Sequence, residues 1–230
     1  MSPSAAPPRP LAHVRALLFD LDGTLIDSAP DLAAAANEMR QVRGLAPLPY
    51  ESLRPVAGSG ARGMLGLGLE VRPGHADYER LRAEFLDRYE RRMLEQTAVF
   101  AAVPALLQAL GAAGLPWGVV TNKAERFALP MTRALGLFEP AGAVVGGDTT
   151  PHAKPHPAPL LEAARRLGIA PDLCAYVGDD ERDVQAGRAA GMVTVAAAWG
   201  YLGLGRPIEV WGADIVMNHP EQLLKALVLA

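Results

Sequence analysis

The sequence predicts an α/β fold, in which a doubly wound parallel sheet carries a helical segment inserted near its start. Short apolar runs of strand length recur along the chain, and helical patterns lie between them. Near-continuous apolar strands that alternate with helices are typical of a parallel sheet covered on both faces. Residues 28–97 break this alternation because they contain helical patterns and no convincing strand. The sequence therefore predicts two parts, a sheet-based core and a helical insertion.

Each predicted strand is a short apolar run, and most are followed by a helical pattern. In chain order the strands are VRALLFD, WGVVT, AVVGG, CAYVGD, VTVAAAW and DIVM. The helical patterns of the core are ERFALPMTRALG, APLLEAARRLG and ERDVQAGRAAG. Each of them ends in glycine, a common residue at helix C-termini. This order predicts a Rossmann-like arrangement with helices on both faces of one parallel sheet.

The inserted segment is predicted to be helical from its apolar spacing. The pattern PDLAAAANEMRQVRG follows the first strand. Farther along, apolar side chains recur every three or four residues, as on the buried stripe of an amphipathic helix. The residues of this stripe are Tyr78, Leu81, Phe85, Tyr89 and Met93. We interpret the stripe as packing, and a helical block in this position as a cap over the core.

These patterns set the expected domain boundaries. Residues 1–10, rich in proline and small side chains, are expected to form a disordered tail. Residues 11–27 and 98–230 are expected to form the core, and residues 28–97 the helical cap. The hinges are expected where the chain passes between core and cap, at Asp27–Pro30 and Gln96–Ala101.

Composition places the chain among ordinary globular proteins. It has 230 residues, of which 50% are hydrophobic and 20% charged, with a formal net charge of -3. Lysine and arginine are spread along it, so we expect no nucleic-acid partner. The uncharged stretch Met192 to Gly205 is shorter than the roughly 20 apolar residues that a membrane-spanning helix needs. We expect a cytoplasmic protein with no membrane partner, because the first residues also lack the apolar run of a signal peptide.

Three carboxylates follow the first predicted strand, in the stretch FDLDGTLIDS at residues 19–28. Ligands bind at the carboxyl ends of the strands of parallel sheets, so these acids lie at the expected ligand-binding edge of the sheet. Asp20 and Asp22 are two residues apart, and on an extended backbone their side chains leave on the same side. Two converging carboxylates repel each other unless a cation lies between them. Oxygen ligands of this kind suit Mg²⁺ together with substrate phosphate oxygens.

A second acidic group follows a later strand, in VGDDERD. Asp179, Asp180 and Asp183 lie at a strand-to-helix turn, where Gly178 permits a tight backbone. If the two strands are neighbours, Asp179 completes the metal site. The alternative is that these acids cap the following helix, whose N-terminus favours negative charge, and Asp180 suits that role.

Two further segments match a phosphate-handling site. VVTNK ends a strand with Thr121 and Asn122, whose side chains can donate to a phosphoryl oxygen, and HAKPHP offers Lys154 as a point positive charge. Each segment also has a plain interpretation, as a turn and as a surface lysine. The two segments indicate a phosphate site only when they are taken together with the two acidic groups.

Two other patterns resemble known ligand sites but lack the structural context. GSGARG, residues 58–63, fits a dinucleotide-binding fingerprint, yet no apolar strand precedes it and Pro55 interrupts the approach. Its backbone N–H groups and Arg62 could instead bind an anion such as a substrate carboxylate, the alternative being a flexible turn with a solvated arginine. His152 and His156 have a metal-like spacing, but the AKP between them rules out a regular helix and with it a zinc site.

Four segments of the chain resemble, in order, the four motifs of the haloacid dehalogenase superfamily: DLDGTLIDS, VVTNK, KPHP and VGDDERD. The helical insertion after the first motif is similar to that superfamily's small α-helical cap. The resemblance spans nearly the whole chain after the tail, and within the superfamily the chain looks most like the phosphoglycolate phosphatase group. It implies a magnesium-dependent phosphomonoester hydrolase that forms an aspartyl-phosphate intermediate.

The resemblance implies which two residues react. Asp20 corresponds to the nucleophile that attacks phosphorus, and Asp22 to the general acid that protonates the leaving oxygen and then activates water. The dehalogenase branch of the superfamily has no acid at the second position, because a halide leaves without a proton. The presence of Asp22 therefore favours phosphoryl transfer.

The resemblance also implies which residues bind the metal ion and the substrate. The implied Mg²⁺ ligands are Asp20, Asp179 and the backbone carbonyl of Asp22, with Asp183 and then Asp180 as alternatives. The candidates for binding or neutralising the phosphoryl group are Thr121, Lys154, Asn122, Gly23 and Thr24. The candidates in the cap for the rest of the substrate are Ser59, Gly60 and Arg62.

The implied partner is a small phosphorylated metabolite that also carries a carboxylate. Phosphoglycolate is the expected substrate, and N-acetylmuramic acid 6-phosphate is the alternative, since the small residues of GSGARGMLGLGL would leave room for a sugar. A phosphomutase has the same core motifs and differs in where the phosphate goes. A catalytically silent binding module would lack the nucleophile, the acid or the lysine, and all three are present here.

Overall fold

The computed structural model describes residues 11–136 and 141–228, so the predicted tail, residues 1–10, lies outside the described residues. Within them, eight strands form in chain order: β1 (Ala16–Phe19), β2 (Ile26–Asp27), β3 (Ala98–Val99), β4 (Trp117–Val120), β5 (Ala143–Val145), β6 (Cys174–Gly178), β7 (Val193–Ala197) and β8 (Ile215–Met217). All except β2 and β3 form a six-stranded sheet with the order β5-β4-β1-β6-β7-β8. Every pairing in this sheet is parallel, which confirms the predicted fold class.

The first strand lies inside the sheet, between β4 and β6. Leu17 of β1 is paired with Trp117 of β4 on one side and with Ala175 of β6 on the other. The residues that follow these three strands therefore meet at one edge of the sheet, where parallel α/β folds bind their ligands.

The sheet is covered on both faces, as its continuous apolar strands predict. Every residue of β1, β4, β6 and β7 is buried. Successive side chains of β1 enter opposite apolar clusters, Leu17 and Phe19 on one face and Leu18, with Leu160, on the other. Burial on both faces explains why these strands show no alternation of polar and apolar residues.

Nine α-helices form within the described residues: α1 (Ala29–Gln41), α2 (Tyr50–Leu53), α3 (Gly60–Gly68), α4 (Tyr78–Arg92), α5 (Val103–Ala112), α6 (Glu125–Ala134), α7 (Ala158–Leu167), α8 (Glu181–Ala189) and α9 (Pro220–Val228). The first four lie between β2 and β3 and are called the helical segment below. The apolar stripe of α4 is buried along its whole length, as its spacing predicts. In the described ranges, each helix is too short or too polar to cross a bilayer.

Two short strands and one tyrosine lie where the chain passes between the core and the helical segment. The strands β2 and β3 are antiparallel and pair Ile26 with Val99. The Tyr201 hydroxyl donates to Asp27 Oδ1 at 3.0 Å and accepts from the backbone N–H of Ser28 at 2.8 Å, just before α1 begins. Both contacts lie at the predicted hinge, so the core holds the first helix of the segment at its N-terminus.

Candidate active site

Two acidic strand ends meet in the middle of the sheet. Asp20 follows β1 and Asp179 follows β6, and the Asp20 N–H donates to the Val177 carbonyl at 2.9 Å. Gly23 turns the chain after β1 with a φ of 83°, in the left-handed region that favours glycine. A Cβ at Gly23 would also collide with the Asp179 carboxylate. Glycine is therefore required at this position if the two acidic segments are to lie together.

Three carboxylates form a cluster at this edge of the sheet. Carboxylate oxygens of Asp20, Asp179 and Asp183 lie within 4.8 Å of one another. The pKa of Asp20 is raised to about 6, first by burial and then by the Asp183 and Asp22 carboxylates, against the lowering effect of Lys154. Burial, followed by the charges of Asp20 and Asp183, raises the pKa of Asp179 well above its ordinary value. The cluster therefore resists full ionisation unless a cation compensates it.

Lys154 is buried against this cluster. Its Nζ lies 2.8 Å from Asp20 Oδ1 and 2.8 Å from Asp183 Oδ1, and it donates to the Val120 carbonyl and to the Tyr176 hydroxyl. Burial by itself would lower the pKa of Lys154, but the two carboxylates raise it above its ordinary value, so the ammonium stays charged. The side chain is 2% exposed, which excludes the interpretation of Lys154 as a surface lysine.

The cluster has the composition of a divalent metal site. Lys154 supplies one positive charge against three carboxylates, which leaves an excess of negative charge when all three are ionised. A buried excess of this kind is stabilised by a bound cation, and oxygen donors suit hard cations such as Mg²⁺, Ca²⁺ and Mn²⁺. Within residues 11–136 and 141–228, this is the one group of three His, Cys, Asp or Glu side chains able to hold a metal ion.

Asp179 is oriented by neighbours on two other segments. Its Oδ1 accepts from the Thr24 hydroxyl at 3.1 Å, and its Oδ2 accepts from the Tyr201 N–H at 2.7 Å. Thr24 is fully buried, and neither Thr24 nor Gly23 is among the described residues that line the cavity at the site. Thr24, a predicted phosphate-binding residue, thus helps to orient Asp179, and Gly23 packs closely against the Asp179 carboxylate.

Asp180 has the capping role that the sequence left open. Its side chain accepts from the Arg182 N–H at the start of α8, and the Asp183 side chain accepts from the Asp180 N–H, which completes a capping box. The Arg182 guanidinium also binds the Asp180 carboxylate and lowers its pKa, although burial acts in the opposite direction. Asp180 therefore lies outside the three-carboxylate cluster. Asp183 belongs both to the capping box of α8 and to the cluster.

Asp22 contacts one residue that sequence reasoning missed. Its Oδ1 accepts from the Ser28 hydroxyl and lies 3.0 Å from Lys123 Nζ. Burial would lower the pKa of Lys123, but the neighbouring Asp22 and Tyr89 raise it above its ordinary value. Lys123 is part of the VVTNK motif, directly after Asn122, so the available signal was a cation within a motif already identified.

Thr121 and Asn122 differ in what they can offer a substrate. The Thr121 hydroxyl accepts from the Lys123 N–H at 3.1 Å, so its own proton remains available at the cavity. The Asn122 side chain instead forms two hydrogen bonds with the backbone of Lys154, both at 2.9 Å. Asn122 therefore holds the loop that carries Lys154, and its side-chain amide is already committed.

A cavity of about 620 Å³ opens over the nucleophile candidate. The predicted site residues of the core that line it are Asp20, Asp22, Thr121, Asn122, Lys154, Asp180 and Asp183. The predicted residues Ser59, Gly60 and Arg62 line it from the helical segment. The cavity thus brings together both sets of predicted residues, the acids from the core and Arg62 from the helical segment.

Other residues of the cavity wall were missed by sequence reasoning. Three further arginines line it, Arg82 of α4, Arg126 of α6 and Arg182 of α8. Apolar and aromatic side chains form another part of the wall: Leu32, Tyr78, Phe85, Leu86, Tyr89 and Phe127. The aromatic residues of α4 belong to the stripe interpreted as packing alone, so the stripe both packs and lines the cavity.

The sequence matches a known protein family over most of its length. A family model described as haloacid dehalogenase-like hydrolase matches residues 14–191, well over half of the chain. The chain belongs to the haloacid dehalogenase-like hydrolase family. The predicted family and the prediction of a hydrolase are therefore confirmed.

Curated relatives of this hydrolase carry two different names. A protein from Xanthomonas campestris pv. campestris named phosphoglycolate phosphatase is 48% identical over 213 residues, which cover 91% of this chain and 94% of the relative. A protein from Pseudomonas aeruginosa named N-acetylmuramic acid 6-phosphate phosphatase is 41% identical over 215 residues, which cover 94% of this chain and 95% of the relative.

Solved structures share the fold of this hydrolase over nearly its full length. A crystal structure from Haemophilus somnus, described as a predicted phosphoglycolate phosphatase, has a TM-score of 0.82 at 26% identity and covers 94% of this chain and 99% of its own. A family hydrolase from Deinococcus radiodurans, with bound phosphate and sodium, has a TM-score of 0.70 at 27% identity and covers 95% of this chain and 96% of its own.

Proposed function

We propose that this hydrolase is a magnesium-dependent phosphomonoester phosphatase that acts on phosphoglycolate through an aspartyl-phosphate intermediate. The observation that carries the proposal is the placement of Asp20 on the floor of the cavity, 2.8 Å from the ammonium of Lys154 and beside the carboxylate cluster. A relative named phosphoglycolate phosphatase at 48% identity supports the choice of substrate.

In the first half of the proposed reaction, an Asp20 carboxylate oxygen attacks phosphorus. The bond between Asp20 and phosphorus forms as the ester P–O bond breaks, and Asp22 gives its proton to the leaving oxygen. In the second half, Asp22 removes a proton from a water molecule whose oxygen attacks the same phosphorus. The bond to Asp20 then breaks, and inorganic phosphate and the free Asp20 carboxylate are regenerated.

The remaining groups stabilise the charge of the phosphoryl group. The Lys154 ammonium and the Thr121 hydroxyl offer donors to its oxygens, and both side chains are buried, where such contacts are stronger than in water. We assign Asp20, Asp179 and the backbone carbonyl of Asp22 to Mg²⁺, with Asp183 as the next candidate. Bound there, Mg²⁺ would supply positive charge to the phosphate oxygens.

The metal part of the proposal predicts a stabilisation by Mg²⁺ that depends on pH. Ligand carboxylates must be ionised to bind, and the pKa of Asp20 is raised to about 6, so protons compete with the metal ion at pH 5 but not at pH 8. At 100 times its dissociation constant, Mg²⁺ should stabilise the fold at pH 8 by about 2.7 kcal/mol. The expected result is a clear rise in melting temperature at pH 8 and a much smaller one at pH 5.

Thermal unfolding with MgCl₂, against NaCl of equal ionic strength, measures this effect. The Asp179→Asn variant is the matched control, because it removes one cluster carboxylate and should abolish the rise at pH 8. An equal rise at both pH values, or a rise that survives in Asp179→Asn, would contradict the assignment.

We also propose that residues 28–97 act as a cap that recognises the rest of the substrate. Arg62 of α3 lines the cavity from the helical segment and, within the described part of the chain, forms no ion pair with a carboxylate. An arginine in that position suits the carboxylate of phosphoglycolate, because a guanidinium binds carboxylates through two parallel hydrogen bonds. Arg82 of α4, which also lines the cavity from the helical segment, is the further candidate.

The size of the cavity favours a second candidate substrate, N-acetylmuramic acid 6-phosphate. Cavities of about 300–1,000 Å³ hold drug-sized ligands, and the cavity here has a volume of about 620 Å³. That volume exceeds what a two-carbon acid phosphate fills and would admit a sugar ring beside Tyr78 and Phe85. The relative from Pseudomonas aeruginosa carries this activity in its name.

The test is phosphate release, compared as kcat/KM, from two pairs of matched esters. The first pair is 2-phosphoglycolate and 2-hydroxyethyl phosphate, which differ in the carboxylate alone. The second pair is N-acetylmuramic acid 6-phosphate and N-acetylglucosamine 6-phosphate, which differ in the lactyl group that carries the carboxylate. We expect each carboxylate ester to be preferred, and the higher of the two carboxylate values identifies the substrate.

The Arg62→Ala variant should lower the preference for the carboxylate esters about tenfold, since a hydrogen bond to a charged group contributes about 1.5–3 kcal/mol. Arg91→Ala is the matched control, because Arg91 is exposed on α4 and is not among the described residues that line the cavity. Absence of phosphate release from all four esters would refute the phosphatase proposal. Transfer of phosphate to a sugar would replace it with a phosphomutase.

A further inference from the structure

Lys123 connects the general acid candidate to the helical segment. Its Nζ lies 3.0 Å from Asp22 Oδ1 and 4.7 Å from the centre of the Tyr89 ring. The Lys123 side chain is 8% exposed, and Tyr89 is 1% exposed. Three separate parts of the chain thus meet at one ammonium: the loop after β4, the loop after β1, and α4.

We propose that Lys123 is a positioning residue for Asp22, and that Tyr89 of α4 holds Lys123 in place. This inference rests on the proposed phosphatase function, in which Asp22 exchanges protons with the leaving oxygen and with water. In that mechanism Lys123 touches neither reacting atom and acts through Asp22.

The contacts of Asp22 indicate how Lys123 would orient it. Within the described part of the chain, the side-chain donors to Asp22 are the Ser28 hydroxyl and Lys123 Nζ, and both bind Oδ1. Two donors on one oxygen fix the rotation of a carboxylate and leave Oδ2 for proton exchange. Asp22 lines the cavity that holds the substrate in the proposed reaction. A carboxylate with a fixed rotation needs less ordering to reach the geometry for proton transfer, so the entropic part of the barrier is lower.

The contacts of Tyr89 explain why the Lys123 ammonium stays at this point. Tyr89 packs edge-on against Phe127 of α6, with ring centres 5.8 Å apart, and is stacked near Phe85 of α4. Its ring is therefore a rigid surface, and an ammonium over the face of an aromatic ring is held there by electrostatic attraction. Since Tyr89 belongs to the helical segment, Lys123 is held fully only when α4 lies against the core.

The test separates acid catalysis from other losses by comparing two esters of similar size. Benzyl phosphate releases an alkoxide that needs a proton, whereas 4-nitrophenyl phosphate releases a stable phenolate that does not. Neither carries a carboxylate, so Arg62 does not bias the comparison. The measured quantity is the ratio of kcat/KM for benzyl phosphate to kcat/KM for 4-nitrophenyl phosphate, because kcat/KM reports the step in which the leaving group departs, whereas the later hydrolysis step is common to both esters.

We expect Lys123→Met to lower this ratio at least about tenfold, a part of the 10²–10⁴-fold that a general acid contributes. Lys123→Arg keeps the positive charge and should restore most of the ratio. Tyr89→Leu removes the ring and should lower the ratio in the same direction, while Tyr89→Phe keeps the ring and should not.

Arg126→Met is the matched control for the loss of a positive charge at the cavity. Arg126 lies three residues after Lys123 and lines the same cavity, but its described ring contact is with Phe127 and not with Asp22. Its removal should leave the ratio of the two esters unchanged. Circular dichroism and thermal unfolding verify that each variant is folded, and Tyr89→Leu provides the test if Lys123→Met is not.

Two results would overturn the inference while leaving the phosphatase proposal intact. Equal losses of kcat/KM for both esters in Lys123→Met would assign Lys123 to substrate binding. An unchanged ratio in both Lys123→Met and Tyr89→Leu would show that Asp22 is oriented without them. Failure of the wild-type enzyme to release phosphate from any ester would instead refute the proposed function itself.

Discussion

The Asp20→Asn variant is expected to lose phosphate release from every ester by at least about 10⁴-fold, as is typical when a catalytic nucleophile is removed. An amide nitrogen or oxygen cannot form the aspartyl-phosphate on which the proposed mechanism depends. The size of the loss should be the same for phosphoglycolate and for 4-nitrophenyl phosphate, because both react at the same carboxylate. Steady-state phosphate release with purified variant and wild type measures it.

The same variant should keep its fold and gain stability in metal-free buffer at pH 8. The pKa of Asp20 is raised to about 6 from its ordinary 3.8, so the fold disfavours the ionised form. Such a group contributes stability that is present below pH 3.8 and is lost as the pH rises through about 6. The Asn side chain never ionises, so its advantage over Asp should appear at pH 8 and shrink at pH 5, as measured by urea unfolding with EDTA.

Asp22→Asn is the matched control, since it neutralises the neighbouring carboxylate and leaves the nucleophile in place. With 4-nitrophenyl phosphate it should release one equivalent of nitrophenolate rapidly and then turn over slowly, because Asp22 is needed to activate water for the second step. Asp20→Asn should show no such burst. Sustained hydrolysis by Asp20→Asn at a rate near that of the wild type would exclude Asp20 as the nucleophile.

The core and the floor of the site could be predicted from the sequence because both are determined locally. A strand that is buried on both faces is a continuous apolar run, and β1, β4, β6 and β7 are all of this type. The residue after such a strand lies at the ligand-binding edge of a parallel sheet, whatever the rest of the chain does. Asp20, Thr121 and Asp179 could therefore be identified without knowledge of the strand order.

Contacts between distant segments could not be predicted in this way. Thr24 was a candidate for phosphate binding, yet its hydroxyl donates to Asp179, which is 155 residues away in the chain. Lys123 and Asp22 are separated by 101 residues, and no periodicity relates them. Asn122 bonds the backbone of a loop 32 residues farther on. Each of these partners follows from the order of the strands in the sheet, which the sequence pattern leaves open.

The roles of Asp179, Asp180 and Asp183 could not be assigned from the local sequence alone. Capping and metal binding both favour carboxylates after a strand, because a helix N-terminus and a cation each attract negative charge. In the structure Asp180 caps α8, while Asp183 shares in the capping box and also joins Asp20 and Asp179. The two interpretations were therefore not exclusive, and the assignment depended on which oxygen atoms lie near Asp20.

The Lys154→Met variant is expected to combine a loss of activity with a loss of stability. Removal of the ammonium leaves Asp20 and Asp183 buried without their partner, and breaking a buried ion pair from one side costs about 3–5 kcal/mol. The expected result in metal-free buffer at pH 8 is a fall of about 3 kcal/mol in the free energy of unfolding. The activity should fall by about 10²–10³-fold, because a donor to the phosphoryl group is lost.

The loss of stability should depend on pH in a direction that identifies its cause. Lys154 opposes the burial that raises the pKa of Asp20, so its removal raises that pKa above about 6. At pH 5 the cluster can take up protons and avoid unpaired charge, whereas at pH 8 it cannot. The gap in stability between wild type and variant should therefore be small at pH 5 and large at pH 8.

Lys225→Met is the matched control, because Lys225 is an exposed residue of α9 with no ion pair in the described part of the chain. It should change the free energy of unfolding by no more than about 0.5 kcal/mol at either pH. Urea unfolding of the three proteins with EDTA, and again with Mg²⁺, measures the effects. Mg²⁺ should narrow the gap at pH 8, because a second cation then compensates the carboxylates that Lys154 compensated. A loss of the same size at pH 5 and pH 8, unaffected by Mg²⁺, would mean that Lys154 stabilises the fold by packing and not by its charge.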